Sequence, residues 1–236
     1  MTMRLCRGIA AILITLIFLP ATIATAANKY LVVLDPAHGG SDKGVRLTNT
    51  VYEKDVTLFI AGEIRKEIGT KGPISIKLTR TADEDLASSE RIQMARASKA
   101  DLFVAIHVNA GFGRSSSGYE VYFPGFKKGS KQQGGSSEII DDMVRNKFLN
   151  EGVRFAQHVM RNIEPIFPRQ GRGLREAPVP GFDELDIPAV VIELAFATNI
   201  ENRKKLTQKD AQKAIAEALS KSIKEYFTTM GQSGEK

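Results

Sequence analysis

The spacing of apolar residues changes in a regular way along the chain. "YLVVL", Tyr30 to Leu34, is a short apolar run that reads as a buried strand. From Glu53 to Ile68 the apolar residues Val56, Ile60, Ile64 and Ile68 recur at the spacing of one helix face. "ISIKL", Ile74 to Leu78, alternates as a strand does, and Asp85 to Ser98 is helix-like, with Leu86, Ile92 and Ala95 as inner positions. "DLFVAIHV", Asp101 to Val108, is almost continuously apolar, the pattern of a parallel strand covered on both faces. "GYEVYF", Gly118 to Phe123, and "IPAVVIEL", Ile187 to Leu194, are further strands, and Glu138 to Ile166 is a long helical region. Gln208 to Phe227 closes as an amphipathic helix with Ile215, Leu219, Ile223 and Phe227 on one stripe. This alternation predicts an α/β fold: a single domain over residues 27–230, with a central, largely parallel, twisted sheet flanked by helices. "KKGSKQQGGSS", Lys127 to Ser137, has the composition of a flexible loop, and the tail Gly231 to Lys236 is expected to fray.

The first 26 residues do not follow this pattern. Arg4 and Arg7 precede an apolar core, Gly8 to Leu19, and Ala24-Thr25-Ala26 is a small-residue cleavage pattern, so a secretory signal peptide is expected, cut near Ala26. The apolar core is shorter than the roughly 20 residues of a spanning helix. Export across the inner membrane follows as the expectation, with no stable membrane anchor after cleavage. The single cysteine, Cys6, falls in this leader, so the mature chain has no disulfide and no thiolate chemistry. The formal net charge is +6, of which two charges belong to the leader. The remainder suits an anionic polymer such as a cell wall and equally an ordinary solvated surface. No basic run interleaved with aromatics points to nucleic acid.

Three strands end in groups that can do chemistry. Tyr30 to Leu34 leads to His38, Leu102 to Ile106 to His107, and Ala189 to Ile192 to Glu193. In open α/β sheets, sites form beyond the carboxyl ends of the strands, so residues distant in sequence meet there. Glu53, at the predicted start of a helix, is a fourth candidate. Two histidines, one ligating carboxylate and one spare carboxylate are what a catalytic zinc hydrolase requires: three protein ligands, an open position, and a base for the attacking water. Each piece has a plainer reading, as a polar rim residue or, for Glu53, a partner of the helix dipole. Glu193 within "VVIELAF" is harder to explain that way, because a carboxylate among apolar residues is costly unless paired. His158, between Phe155 and Val159 in the long helix, is read as structural. Neither a phosphate loop after Gly44, nor a dinucleotide fingerprint at Gly111 to Gly118, nor a GxSxG elbow is completed by its neighbours.

The order of these motifs resembles the zinc-dependent N-acetylmuramoyl-L-alanine amidases of the amidase 3 family. "LDPAHGGSDKG" is similar to its first histidine motif, "YEKDVTL" to its glutamate motif, and "LTRTADEDLASSERIQMA" followed by "ADLFVAIHVNA" to its central block. "SGYEVYF", "RGLREAPV" and "IPAVVIELAFATNIENRKKL" resemble the blocks that follow, so the likeness runs from about Lys29 to Phe227. The resemblance implies Zn2+ held by His38, Glu53 and His107, with Glu193 as the catalytic glutamate. It also implies peptidoglycan as the substrate and hydrolysis of the amide between N-acetylmuramic acid and L-alanine, with a protein activator as a further partner. A zinc peptidase acting on stem peptides, or a non-catalytic wall-binding module, would keep the same fold. Residues 124–150 form a longer interval than compact members have, and two readings stand for Glu138 to Leu149: a lid or regulatory helix over the metal crevice, or ordinary packing.

Overall fold

The computed structural model describes residues 29–111, 113, 115–125 and 136–233. The expected signal peptide, most of the Lys127–Ser137 loop and the last three residues of the tail lie outside the described residues. Six strands form one sheet: β1 (Tyr30–Pro36), β2 (Ile74–Leu78), β3 (Leu102–Asn109), β4 (Tyr119–Pro124), β5 (Gly171–Ala177) and β6 (Ala189–Phe196). Their order is β2-β1-β3-β6-β4-β5. The first four are mutually parallel, β4 runs antiparallel to β6, and β5 is parallel to β4. The helices are α1 (Glu53–Ile68), α2 (Ser88–Ala97), α3 (Ser136–Ile163), α4 (Ile200–Thr207) and α5 (Lys209–Ser233).

Alternating side chains on the central strands serve two unequal cores. Val32, Leu34, Val104, Ile106, Ile192 and Leu194 face a large apolar cluster filled by Val56, Ile60 and Ile64 of α1, Phe155, Val159 and Ile163 of α3, and Ile215, Leu219, Ile223 and Phe227 of α5. Val33, Phe103, Ala105 and Val191 point the other way, into a smaller cluster closed by Ile92 and Ala95 of α2 and by Phe182 and Leu185. His107, Glu193 and Glu120 continue this second face beyond the apolar residues. Glu193 stands opposite His107 on one side and Glu120 on the other.

The chain leaves β1 for β2 on one side and returns to β3 on the other. A crevice therefore opens between the carboxyl ends of β1 and β3, where open α/β sheets place their ligands.

Several boundaries shift from the sequence expectation. The helix expected from Asp85 begins at Ser88, where the Glu90 carboxylate accepts the Ala87 N–H at 2.8 Å; Leu86 lies before it. The closing helix extends to Ser233, so its last turn takes in Gly231, which the sequence reading placed in a frayed tail. β5, with four charged or glycine positions in its first five residues, carries no strand-like alternation, and α4 is a separate short helix before α5.

α3 is continuous from Ser136. Its residues Val144, Arg145, Phe148 and Leu149 wall a cavity of about 320 Å3 together with Pro124, Phe182, Leu185 and Ala189. Ala189 begins β6 and Glu193 lies four residues further along, roughly 13 Å at the rise of a strand. Residues 144–149 of α3 thus stand at the end of the sheet remote from His107 and Glu193, and Ile140, Met143 and Val144 are 59%, 67% and 45% exposed.

Candidate metal centre and active site

The loop after β1 is held by two arginines. Arg80, 1% exposed, donates to the carbonyls of Pro36, Ala37 and Lys54, and Arg91 donates to those of Pro36 and His38. Arg91 also pairs with Asp35 at 2.6 Å. These contacts hold His38 at φ +62°, a conformation most residues avoid. Gly44 completes the turn: a Cβ there would lie 2.5 Å from the His38 ring and 2.6 Å from a Glu53 oxygen. Only glycine lets this backbone approach so closely.

Glu53 is the first residue of α1 and is 1% exposed. Its Oε2 lies 3.1 Å from His38 Nε2 and its Oε1 3.3 Å from His107 Nδ1. The same oxygens accept the Val45 and Val108 backbone N–H groups at 3.0 and 2.8 Å. Burial opposes its charge, but the hydrogen bonds from His107, His38 and Val45 outweigh it and bring the carboxyl down to about 2. Hydrogen bonding to Glu53 in turn raises His38 to about 9, against the opposing effect of burial.

Ligand atoms of His38, Glu53 and His107 all lie within 4.8 Å of one another. A tetrahedral zinc ion, with bonds of about 2.0–2.1 Å, needs donor atoms about 3.3 Å apart. The imidazole–carboxylate separations of 3.1 and 3.3 Å are of that size but run to different oxygens of Glu53; with one donor atom from each residue the set spans up to 4.8 Å. Asp42 Oδ2 lies 2.8 Å from His38 Nδ1 and would keep a proton there, so that Nε2, which faces Glu53, would offer its lone pair once a metal displaces its proton. The residues present therefore fit a zinc ion, and this is the one such group among the described residues.

Glu193 is not part of this group. Its Oε2 is buried and has no hydrogen-bond partner among the described residues. Burial, reinforced by the charges of Glu53 and Glu120 and partly offset by His107, raises its carboxyl to about 7. A carboxylate poised near neutrality beside a candidate metal site is suited to moving a proton. His158 lies elsewhere, 3.2 Å from Glu225 between α3 and α5.

Within this geometry the comparisons are decisive. A family model described as N-acetylmuramoyl-L-alanine amidase, amidase 3, matches residues 32–225.

The chain belongs to that family.

Among its relatives, the amidase AmiC of Escherichia coli O6:H1 is 30% identical over 84% of this chain, and the chain spans 52% of that protein's length. AmiA of Salmonella typhimurium is 28% identical over 85% of this chain and 77% of its own. The solved amidase AmiC2 of Nostoc punctiforme superposes with a TM-score of 0.69 at 27% identity, covering 85% of this chain and 98% of that one. An amidase from Clostridium difficile 630 gives 0.68 at 29% identity, covering 86% and 98%.

The sequence did not single out the supporting shell. Asp42 sits in the same motif as His38 and is visible only as one more polar residue. Glu120 had a usable signal: like Glu193, it is a charge at an inward position of an apolar strand, and it is 2% exposed.

Proposed function

We propose that the chain is a zinc-dependent N-acetylmuramoyl-L-alanine amidase, acting on peptidoglycan. The observation that carries the reading is the pairing of the His38–Glu53–His107 donor set with a separate, buried, unpartnered carboxylate oxygen on Glu193. In this reading His38, Glu53 and His107 hold zinc and Glu193 is the catalytic acid–base. Bound zinc supplies a Lewis acid that polarises the amide carbonyl and eases deprotonation of water. Glu193 Oε2 takes the proton as the water oxygen bonds to the lactyl carbonyl carbon. It returns that proton to the alanine nitrogen as the C–N bond breaks, leaving a lactyl carboxylic acid and a free amine. Asp42 fixes the His38 tautomer, and the Val45 and Val108 N–H groups orient Glu53.

The proposal includes export to the periplasm, from the leader pattern and the family resemblance together, and a role in wall remodelling such as cell separation. An activating protein partner enters on the family resemblance alone. None of the helices among the described residues is long and apolar enough to cross a membrane. Incubation of the zinc-loaded protein with purified peptidoglycan tests the reaction. Release of stem peptides bearing an L-alanine amino terminus is expected. Shortened peptides would mean a peptidase, and no release would mean a binding module.

A further inference from the structure

The wall of the crevice beyond Glu193 carries a cluster that the catalytic chemistry leaves unused. Glu120 of β4 is opposite Glu193, and on its far side lie two arginines of β5. Arg172 Nε is 2.5 Å and Arg175 Nε 3.4 Å from Glu120 Oε1. The other oxygen of Glu120 accepts the Tyr122 hydroxyl at 2.5 Å and the Asn109 amide at 3.2 Å. The Arg172 guanidinium also lies 5.1 Å from the centre of the Phe196 ring, three residues after Glu193. Arg175 is in register with Tyr122, so both face the Glu193 side of the sheet.

One cation suffices to neutralise one buried carboxylate. The second is in excess over Glu120, although Glu193 stands opposite on β6, and the two arginine side chains remain 38% and 47% exposed while the Glu120 side chain is 3% exposed. The opposite flank of the crevice has the other sign: in the depression beside His38 the three carboxylates of Asp42, Asp85 and Glu90 outnumber the single guanidinium of Arg91. The crevice is thus acidic at α2 and cationic at β5.

We infer that Arg172 and Arg175 form a subsite for a carboxylate of the stem peptide, and that the peptide extends from the scissile amide across β6 and β4 towards β5. The inference rests on the amidase reading above. The muramoyl lactyl carboxyl is consumed in the scissile amide, so the glycan side brings no negative charge at the bond. The stem peptide carries carboxylates of its own, at least at its C-terminus. Strands are spaced about 4.8 Å apart, which puts β5 roughly 10 Å from the β6 strand that holds Glu193. An extended peptide advances about 3.3–3.6 Å per residue, so a carboxylate about three residues beyond the amide reaches the arginines. Guanidinium groups suit this role because their planar donors match a carboxylate in two-point contact. The acidic flank would repel the same peptide laid the other way.

The test is calorimetric titration of the zinc-loaded full chain with two peptides that begin with L-alanine. One carries free carboxylates and the other has them amidated. The expected result is about tenfold tighter binding of the free acid, the scale of one charge-assisted hydrogen bond, with the preference falling as salt rises. Arg175→Gln should bring the ratio of the two affinities towards one, and Arg175→Lys should retain part of it. Zinc content reports that each variant is folded. Equal binding of both peptides by the unaltered protein overturns the subsite, as does an Arg175→Gln variant that weakens both peptides alike. Either result leaves the amidase reading intact if stem peptides are still released from peptidoglycan. A zinc-loaded protein that releases none removes the amidase reading and with it the assignment of the ligand.

Discussion

Glu53 and Glu193 are the same side chain held in opposite states. Two imidazoles and two backbone N–H groups keep Glu53 charged, whereas Glu193 is half-buried, with one buried oxygen that meets no donor among the described residues. Their substitutions should therefore fail differently. Glu53→Ala should lose zinc and activity together. Glu193→Ala should retain stoichiometric zinc by elemental analysis and lose about 10²–10⁴-fold in turnover, the usual contribution of a general acid–base. A zinc-free Glu193→Ala protein would reverse the two roles. The raised His38 value has its own consequence. In the metal-free protein, the proton on His38 stabilises the fold fully below about 6.5, and that contribution is lost as pH rises through about 9. Zinc must displace this proton, so apparent zinc affinity should climb by about tenfold per pH unit from 6.5 until it levels near 9. Competition titrations against a chelator at stepped pH read this directly; a pH-independent affinity would show that His38 is already neutral or is no ligand. At limiting zinc, activity should accordingly fall as pH drops from about 9, as His38 regains its proton.

At the scale of elements, the links between them matter more than their interiors. α2 contributes two apolar residues to the smaller core, and its stronger tie is Arg91, which joins Asp35 in β1 to the backbone of the His38 loop. Both members of the pair are more than nine-tenths buried. Arg91→Ala should cost about 3–5 kcal/mol in chemical denaturation, because it strands the Asp35 charge, and it should weaken zinc binding by releasing His38. An intact affinity in the destabilised variant would show that the loop holds its shape without the arginine. α3 offers a contrast along its own length. Leu149 is 6% exposed, whereas Met143 is 67% exposed. Leu149→Ala should lose about 2–5 kcal/mol, and Met143→Ser should stay within about 0.5 kcal/mol of the parent. Because this end of α3 is remote from Glu193, removing residues 127–146 should not raise basal hydrolysis of peptidoglycan. A clear rise in the truncated, zinc-loaded protein would restore the lid.

For the whole molecule, a metal ion at this position would act as a staple. It would tie the loop after β1, the start of α1 and the end of β3, adding to the hydrogen bonds that Glu53, Thr57 and Arg80 already make between them. Zinc should therefore raise the unfolding temperature of the metal-free protein, since binding to the native state at 100 times Kd adds about 2.7 kcal/mol. Glu53→Ala should lose this response and Glu193→Ala should keep it. Chelation should abolish hydrolysis and zinc should restore it, whereas full activity in a verified metal-free protein would end the zinc mechanism.

What the chain determined by itself is whatever depends on local periodicity. The four-residue recurrence from Val56 is the reason α1 could be read to its ends, Glu53 and Ile68, and the unbroken apolar run at Leu102 marked β3 as a central strand. A charge within such a run, as at Glu193, signals that something must offset its burial, so the candidate acid–base was visible before the fold was. β5 was not, because an edge strand has one neighbour and little to bury, and its glycines and arginines follow no alternation. Which carboxylate stands between the imidazoles could not be read from spacing alone, since 15 and 54 residues separate Glu53 from His38 and His107. That depends on two strand ends and the start of α1 meeting at one point. The reach of Arg172 and Arg175 to Glu120 is likewise set by the pairing of β4 with β5. Periodicity reports which side of an element is buried; only the packed sheet decides which buried sides face each other.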